Sequence, residues 1–144
     1  VYSEDPQVYH DTMARLKRKI DGAREHLPAP VIREEEKKDL GIIFYGSMEN
    51  TIVEIDDMLE ESGLSVSTCR VRALPLHSGV EDFVRRHDRT IVLEINRDGQ
   101  LFGIIRKEFP AELIPKIHSV SYSDGMPPRA RVYSDMILEV LEGL

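Results

Sequence analysis

Three short apolar runs, each followed by a stretch with helical spacing, constrain the fold of this 144-residue chain more than any other feature. The runs are LGIIFYG at 40–46, LSVSTCRVRAL at 64–74 and RTIVLEI at 89–95. The first run, LGIIFYG, is continuous and apolar, which is typical of a strand buried on both faces of a parallel sheet, and the other two runs are also predicted to be strands. An apolar stripe from Met48 to Leu59 follows the first run at the three- and four-residue spacing of a helix. The alternation predicts an α/β fold of three layers, with helices on both faces of a mostly parallel open sheet.

The N-terminal part of the chain differs from this pattern. Asp5 and Pro6 occupy the positions of an N-cap and a first-turn proline, and they predict a helix through about Arg24. Two prolines in the segment LPAPVIREEEKKD end this helix, and the charges that follow predict a solvated linker. Residues 1–39 are therefore expected to form a helical arm and linker, and residues 40–144 the α/β domain.

The C-terminal part predicts one more strand and one more helix. IHSVSY at 117–122 has the pattern of a strand, and Pro128 is well placed to begin the last helix. Polar residues are also predicted to cap the helices that follow the first three strands: Ser47, Ser78 with Glu81 in a capping box, and Asp98 ahead of the helix at Gly99 and Gln100.

Composition and charge exclude several classes of protein. The formal net charge of −7 argues against nucleic-acid binding, since phosphates require a basic face. The apolar runs are too short to span a bilayer and the N-terminus has no signal-peptide pattern, so a cytoplasmic protein without membrane contact is expected. The start at Val1, without an initiator methionine, predicts a segment of a larger protein.

Cysteine and histidine usage predicts no metal or redox centre. Cys69 is the only cysteine, which excludes a disulfide framework, a four-thiolate iron–sulfur cluster and a cysteine-rich zinc site. Because it lies inside a strand-like run, Cys69 is expected to be a buried, inert thiol. The five histidines show no metal-ligand spacing, and His87 is expected to interact with the dipole of the helix that it ends.

The best place for a site is the carboxyl edge of the predicted sheet, because open α/β sheets bind ligands there. Four strand ends meet at this edge, at residues 46–47, 75–77, 94–98 and 122–124. The candidate residues for a ligand site or a domain interface are Gly46, Ser47, His77, Glu94, Asn96, Arg97, Asp98, Gly99, Gln100, Gly125 and Pro127. None of them is assigned a catalytic, cofactor-binding or metal-ligating role.

Taken singly, these residues favour structural roles. The turn at Ser47 lacks the glycine patterns of nucleotide sites and the elbow of serine hydrolases, so helix capping is favoured. Glu94 lies in a strand expected to be buried, and an ion pair with Arg97 or Arg70 is favoured over a general base because no second matched acid or nucleophile shares the motif. His77 stays open as either a titrating edge residue or an ordinary loop histidine.

Three motifs occur in a characteristic order, namely Gly-Ser at 46–47, EINRDGQ at 94–100 and GMP at 125–127. With the helical arm, this order resembles the transketolase-C-like C-terminal domain of the α subunit of 2-oxoacid:ferredoxin oxidoreductases. That family typically shows a strand ending in Glu-x-Asn-x-x-Gly-Gln and a Gly-x-Pro before the last helix. The resemblance covers roughly residues 5–142, and Arg15 and Lys19 resemble the family's basic helix.

The resemblance implies an activity for a whole enzyme and an assembly role for this segment. The family oxidatively decarboxylates a 2-oxoacid, here expected to be 2-oxoglutarate, using coenzyme A, thiamine diphosphate, magnesium and iron–sulfur clusters that reduce ferredoxin. The segment alone is expected to be inactive and to bind none of these cofactors, since it lacks the cluster cysteines and the Gly-Asp-Gly and Asn of the thiamine diphosphate motif. The implied partners are an upstream pyrimidine-binding domain of the same subunit, joined through the arm, and the β subunit.

Two other functions remain open. One is an autonomous α/β module that binds a small ligand or anion at the helix N-termini near Ser47 and Gly99. The other is the C-terminal domain of another transketolase-like thiamine enzyme. Such relatives usually have a Gly-Gly-rich turn after the glutamate strand, where this chain has Arg-Asp-Gly-Gln at 97–100.

Overall fold

The structure, a computed structural model, describes residues 4–36 and 39–143, and it is an α/β fold in three layers as the sequence predicts. The five α-helices are α1 (Pro6–Ala23), α2 (Ile52–Glu61), α3 (Ser78–Arg86), α4 (Gln100–Glu108) and α5 (Ala130–Glu142). The five strands are β1 (Val31–Arg33), β2 (Leu40–Tyr45), β3 (Val66–Val71), β4 (Arg89–Glu94) and β5 (Ile117–Ser121). Short 3-10 helices occupy Arg24–His26, Gly46–Asn50 and Ala111–Lys116.

The strands form one sheet in the order β1-β3-β2-β4-β5. The strands β3, β2, β4 and β5 are parallel, and β1 pairs antiparallel with β3 at the edge. The sequence predicts no strand before Leu40, so β1 is an addition to the expected sheet. Only Ile32 of this strand is partly buried, and three residues with one inward side chain leave too little apolar pattern to predict a strand. Lys37 and Lys38 of the predicted linker lie outside the described residues.

Two apolar cores cover the two faces of the sheet. One core packs α2 and α5 against side chains such as Ile42 and Phe44, and the other packs α3 and α4 against Ile43 and Cys69. Successive residues of a strand point to opposite faces, so the continuous apolar run of β2 supplies both cores. No helix in the described part of the chain has the length and apolar character needed to cross a membrane.

Helix α1 begins as predicted, with Asp5 as its N-cap, but it has no buried residue. The carboxylate of Asp5 accepts a hydrogen bond from the backbone N–H of Gln7 at 2.8 Å. The last turn of the arm contacts the α/β layers through an ion pair of 3.0 Å between Arg24 and Glu108. The remainder of the helix is mostly exposed, and only Thr12, Ala14 and Ala23 are partly buried.

Two predicted caps are wrong. Ser47 is exposed in the 3-10 helix Gly46–Asn50, and α2 begins only at Ile52, without a side-chain cap. The short 3-10 helix moves Ser47 out of reach of the α2 amides. Ser78 is the first residue of α3 rather than its cap, and Glu81 binds Arg85 one turn later instead of closing a capping box. The N-cap of α3 is His77.

Candidate functional site

The carboxyl ends of β2 and β4 form the topological switch point of the sheet. From β2 the chain runs through α2 to β3 on one side, and from β4 it runs through α4 to β5 on the other. Helices α2 and α4 lie on opposite faces, because they belong to different cores. The chain segments that leave these two paired strands therefore turn to opposite faces of the sheet, and a crevice lies between them at the place where open α/β sheets bind ligands.

Glu94, the last residue of β4, is fully buried at this crevice and caps α4. One carboxylate oxygen accepts the backbone N–H of Leu101 at 2.7 Å, and the other accepts that of Phe102 at 3.0 Å. The first amides of a helix have no partner within the helix and carry partial positive charge. The buried carboxylate is thus stabilised by the N-terminus of α4.

Asn96 links Glu94 to the turn before α4. Its side-chain N–H₂ donates to Glu94 at 2.9 Å and to the hydroxyl of Tyr45 at 3.1 Å. Its side-chain oxygen accepts the backbone N–H groups of Asp98 at 3.0 Å and of Gly99 at 2.7 Å. An asparagine that binds its own backbone two or three residues later closes an Asx turn. Each polar atom of the Asn96 amide group is therefore used inside the protein.

Gly99 has a geometric reason to be glycine. Its φ of +60° lies in the left-handed region, and an added Cβ would lie 3.1 Å from the hydroxyl oxygen of Ser119. The backbone N–H of Gly99 also donates to the hydroxyl of Ser121 at 3.1 Å. Ser121 in turn donates to the carbonyl oxygen of Asn96.

Ser121 is a further residue of this site that the sequence analysis does not predict. It ends β5, which is adjacent to β4 in the sheet, and it holds the 94–99 turn from the neighbouring strand. Its position at the end of a predicted strand is the one signal that could have found it.

The predicted roles of Asp98 and Glu94 are corrected by these contacts. Asp98 does not cap α4, since the N-cap position is Gly99 and the exposed Asp98 carboxylate pairs with Arg97 at 2.7 Å. Glu94 forms no ion pair within the described residues, because Arg97 points to solvent with Asp98 and Arg70 pairs with Glu49. The strand carries Glu94 directly to the α4 amides, which replace the expected cation.

His77 is partly buried and holds two elements together. Its Nδ1 accepts the backbone N–H of Gly79 at 3.0 Å, which caps α3. The remaining ring proton must then lie on Nε2, which is 3.3 Å from a carboxylate oxygen of Glu25 at the end of the arm. The same carboxylate accepts the Ser78 hydroxyl at 3.1 Å. His77 therefore fastens the end of the arm to α3.

The other predicted residues lie in two separate turns. Gly46 and Ser47 begin the 3-10 helix after β2, where Gly46 has a φ of +62°. Gly125 and Pro127 belong to the loop before α5, where Gly125 has a φ of +79°. Asp124 holds this loop, since its carboxylate accepts the backbone N–H of Met126 and pairs with Arg129 at 2.6 Å. The Met126 N–H, the Tyr122 hydroxyl and the positive charge of Arg129 lower the pKa of Asp124.

A cavity of about 500 Å³ opens at the crevice. It is lined by Tyr45, Gly46, Val71, Arg72, Ala73, Leu74, Gln100, Leu101 and Ile104. A second cavity of about 240 Å³ is lined by Tyr45, Gly46, Ser47 and Ile95. Of the predicted site residues, Gly46, Ser47 and Gln100 line these cavities, and Glu94 and Asn96 support the turn beneath.

Cys69 and His87 are both buried away from the crevice. Cys69 is fully buried, and burial raises the pKa of its thiol to about 12. His87 is buried after α3, where its Nδ1 donates to the carbonyl oxygen of Phe83 at 2.7 Å. Residues 4–36 and 39–143 contain no group of three or more histidine, cysteine, aspartate or glutamate residues able to hold a metal ion.

Comparisons with known proteins agree with the resemblance seen in the motifs. No family model matches the chain. Over 109 residues, 72% of the chain, it is 27% identical to the α subunit of 2-oxoacid:ferredoxin oxidoreductase 2 from Aeropyrum pernix. The match covers 17% of that subunit, so the chain spans less than a fifth of its length.

Two solved structures share the fold. A structure of the 2-oxoglutarate:ferredoxin oxidoreductase from Magnetococcus marinus, with 2-oxoglutarate, coenzyme A and succinyl-CoA bound, superposes over 95% of this chain and 24% of its own chain. The TM-score is 0.77 at 21% identity. The inactive β4 tetramer of a split-gene transketolase matches 78% of this chain and 41% of its own, with a TM-score of 0.58 and 18% identity. The motif-based recognition is confirmed: this chain is related to 2-oxoacid:ferredoxin oxidoreductase α subunits and has the transketolase-like fold expected of their C-terminal domain.

Proposed function

We propose that this chain is the non-catalytic C-terminal domain of the α subunit of a thiamine-diphosphate-dependent 2-oxoacid:ferredoxin oxidoreductase, and that it serves subunit assembly. The observation that carries the proposal is the use of the family signature. The side chain of Glu94 accepts hydrogen bonds from the first amides of α4, and the side chain of Asn96 accepts one from the turn before this helix. The signature is therefore a structural motif that shapes one edge of the domain.

A catalytic role for Glu94 is poorly supported by its surroundings. A general base must reach the proton that it removes. Glu94 is fully buried, and both of its oxygens already accept backbone N–H groups. A carboxylate held in this way stabilises the fold rather than exchanging protons with a substrate.

An assembly role is supported by the exposed apolar face of the arm. Tyr9, Met13, Leu16 and Ile20 follow the four-three-four spacing of a helix-packing seam. Their exposed fractions are 66%, 44%, 36% and 56%, so this stripe has no cover in the described part of the chain. Exposed apolar patches of this kind mark interaction surfaces. The proposed cover is the upstream pyrimidine-binding domain of the same subunit, with the β subunit completing the enzyme.

The activity of the whole enzyme is proposed from the comparisons. The Magnetococcus marinus structure was determined with 2-oxoglutarate, coenzyme A and succinyl-CoA, which supports 2-oxoglutarate as the substrate here. The whole enzyme would use thiamine diphosphate, magnesium, iron–sulfur clusters and coenzyme A, and would pass electrons to ferredoxin in the cytoplasm. This chain would bind none of the cofactors itself.

The alternative of an autonomous anion-binding module is less well supported. An anion at the start of α4 would use the backbone N–H groups of Leu101 and Phe102, and both of these groups already donate to Glu94. The turn at Ser47 begins a 3-10 helix of five residues, which is too short to provide an aligned helix dipole. A C-terminal domain of another transketolase-like enzyme fits the fold, but the match to the oxidoreductase covers more of the chain at a higher TM-score.

Calorimetric titration tests the absence of a cofactor site. We expect no heat of binding when thiamine diphosphate and magnesium are added to the chain. Tight, magnesium-dependent binding would overturn the proposal.

Size-exclusion chromatography of the chain mixed with the remainder of the α subunit and the β subunit tests the assembly role. We expect Leu16→Asp to abolish co-elution on a sizing column, since it places a charge in the apolar stripe. Arg18→Gln makes the same change in net charge on the same helix, outside the stripe, and should co-elute like the parent chain. Equal co-elution of Leu16→Asp and the parent would contradict the role of the arm.

A further inference from the structure

The cavity at the crevice contains one charged group that the fold does not use. Arg72 follows β3, is exposed and is the only charged residue among those that line the cavity. It makes no ion pair with any described residue, whereas Arg70, two positions earlier, pairs with Glu49. A chain with 26 acidic and 19 basic side chains has carboxylates in excess. Arg72 therefore stands out at this edge of the sheet, because it lines a cavity and has no carboxylate partner among the described residues.

The remaining walls are mainly apolar. Val71 and Leu101 are buried behind the cavity, while Leu74 is 53% exposed and Ile104 is partly buried. The exposed side chain of Gln100 adds an amide at the start of α4. Pockets of roughly 300–1,000 Å³ that combine apolar walls with a few polar groups are typical of small-molecule sites. A cavity of about 500 Å³ lies within this range.

We propose that this cavity is a binding site for a small organic carboxylate with an apolar body, held by Arg72 and the apolar side chains of β3 and α4. The guanidinium group presents parallel N–H donors that match one planar carboxylate. Leu74, Leu101 and Ile104 cover the apolar part of the ligand. The site is independent of the assembly role of the arm.

A carboxylate fits the crevice better than a phosphate. Phosphate sites at strand ends use the free amides at the start of the following helix. Here the amides of Leu101 and Phe102 are already bound to Glu94, whose negative charge opposes a dianion. One arginine and a largely apolar wall therefore favour a singly charged ligand.

Nuclear magnetic resonance with 3-phenylpropionate tests the site. We expect its dissociation constant to be about a millimolar, as for other small fragments, and the shifted backbone amides to be those of residues 71–74 and 100–104. Arg72→Gln should weaken binding by roughly tenfold to a hundredfold, the value of one charge-assisted hydrogen bond. Its spectrum without ligand should otherwise match that of the parent.

Arg106→Gln is the matched control, since Arg106 lies on α4 over the ring of Phe102 and outside the cavity lining. It should bind 3-phenylpropionate like the parent chain. The neutral 3-phenylpropionamide should bind the parent and Arg72→Gln equally. The proposal is overturned by shifts at other residues, by equal loss of binding in both variants, or by inorganic phosphate that displaces the carboxylate at equal concentration.

Discussion

At the scale of single residues, Glu94 illustrates how a buried charge is accommodated without a cation. A carboxylate is costly to bury alone, so the sequence pointed to an arginine partner. The structure supplies two backbone amides and the side-chain amide of Asn96 instead. Charge-assisted hydrogen bonds of this kind are stronger than neutral ones, and the helix N-terminus adds a favourable dipole.

Replacement of Glu94 should therefore be strongly destabilising. Glu94→Ala leaves buried N–H groups of Leu101 and Phe102 without an acceptor, and we expect a loss of roughly 2–4 kcal/mol in the free energy of unfolding. Glu94→Gln retains one acceptor oxygen and should fall between the alanine variant and the parent. Urea denaturation followed by circular dichroism measures these differences.

Asp98→Ala provides the control for that series. Asp98 lies in the same turn and is exposed, and among residues 4–36 and 39–143 its carboxylate pairs only with Arg97. Its loss should cost less than about 0.5 kcal/mol, as is usual for surface substitutions. A larger cost for Asp98→Ala than for Glu94→Ala would restore Asp98 as the cap of α4.

Cys69 should be chemically silent in the folded chain. Its thiol is fully buried, and its raised pKa of about 12 leaves almost no thiolate at neutral pH. We expect a thiol reagent such as dithiobis-nitrobenzoate to label Cys69 only as the chain unfolds, with the labelled fraction following the urea transition. Complete labelling within seconds in native buffer would disagree with this burial.

At the scale of elements, two short contacts determine where helices begin. The Glu94 carboxylate sets the start of α4, and the His77 ring sets the start of α3. In both cases the last residue of a strand or loop provides the acceptor, while the side chain predicted from the sequence, Asp98 or Ser78, binds a different group. Helix caps are thus determined by the path of the chain before the helix.

The cap of α3 can be separated from the contact between His77 and the arm. His77→Ala removes the acceptor for the Gly79 N–H and should cost about 1 kcal/mol, as for other N-caps. His77→Asn restores a side-chain oxygen at the cap, so it should recover most of that loss. Thermal unfolding of the two variants gives the comparison, and equal melting temperatures would exclude a capping role.

At the scale of the whole molecule, stability should depend on pH through His118. This residue lies on β5, where burial first and the positive charge of Arg89 second lower the pKa of its imidazole below the usual 6.5. The unfolded chain therefore takes up this proton before the folded chain does. The contribution of His118 to the free energy of unfolding is fully present above about pH 6.5, and it is lost as the pH falls from there through the pKa of the folded state.

His118→Asn tests that dependence, because asparagine is polar but does not titrate in this range. We expect the free energy of unfolding to fall less steeply between pH 7 and pH 5 in this variant than in the parent. Urea titrations at several pH values provide the measurement. Parallel curves for the two chains would assign the pH dependence to other groups.

The apolar runs and the helical stripes were enough to predict the parallel strands β2 to β5, the helices between them and the edge where a site would lie. These features are local, since a continuous apolar run marks a strand buried on both faces wherever it occurs. The motif order also indicated the relationship to 2-oxoacid:ferredoxin oxidoreductases, which the comparisons confirm. By itself, the sequence thus determined the layers, the direction of most strands and the relatives of this protein.

Only the tertiary structure decided which groups bind one another. The partner of Glu94 is a pair of amides seven and eight residues later, and the hydroxyl that holds the 94–99 turn comes from Ser121 on a neighbouring strand. The antiparallel edge strand β1 likewise exists because β3 has a free edge for it. Hydrogen bonds are short-ranged and directional, so their partners depend on where the folded chain brings each atom rather than on residue spacing.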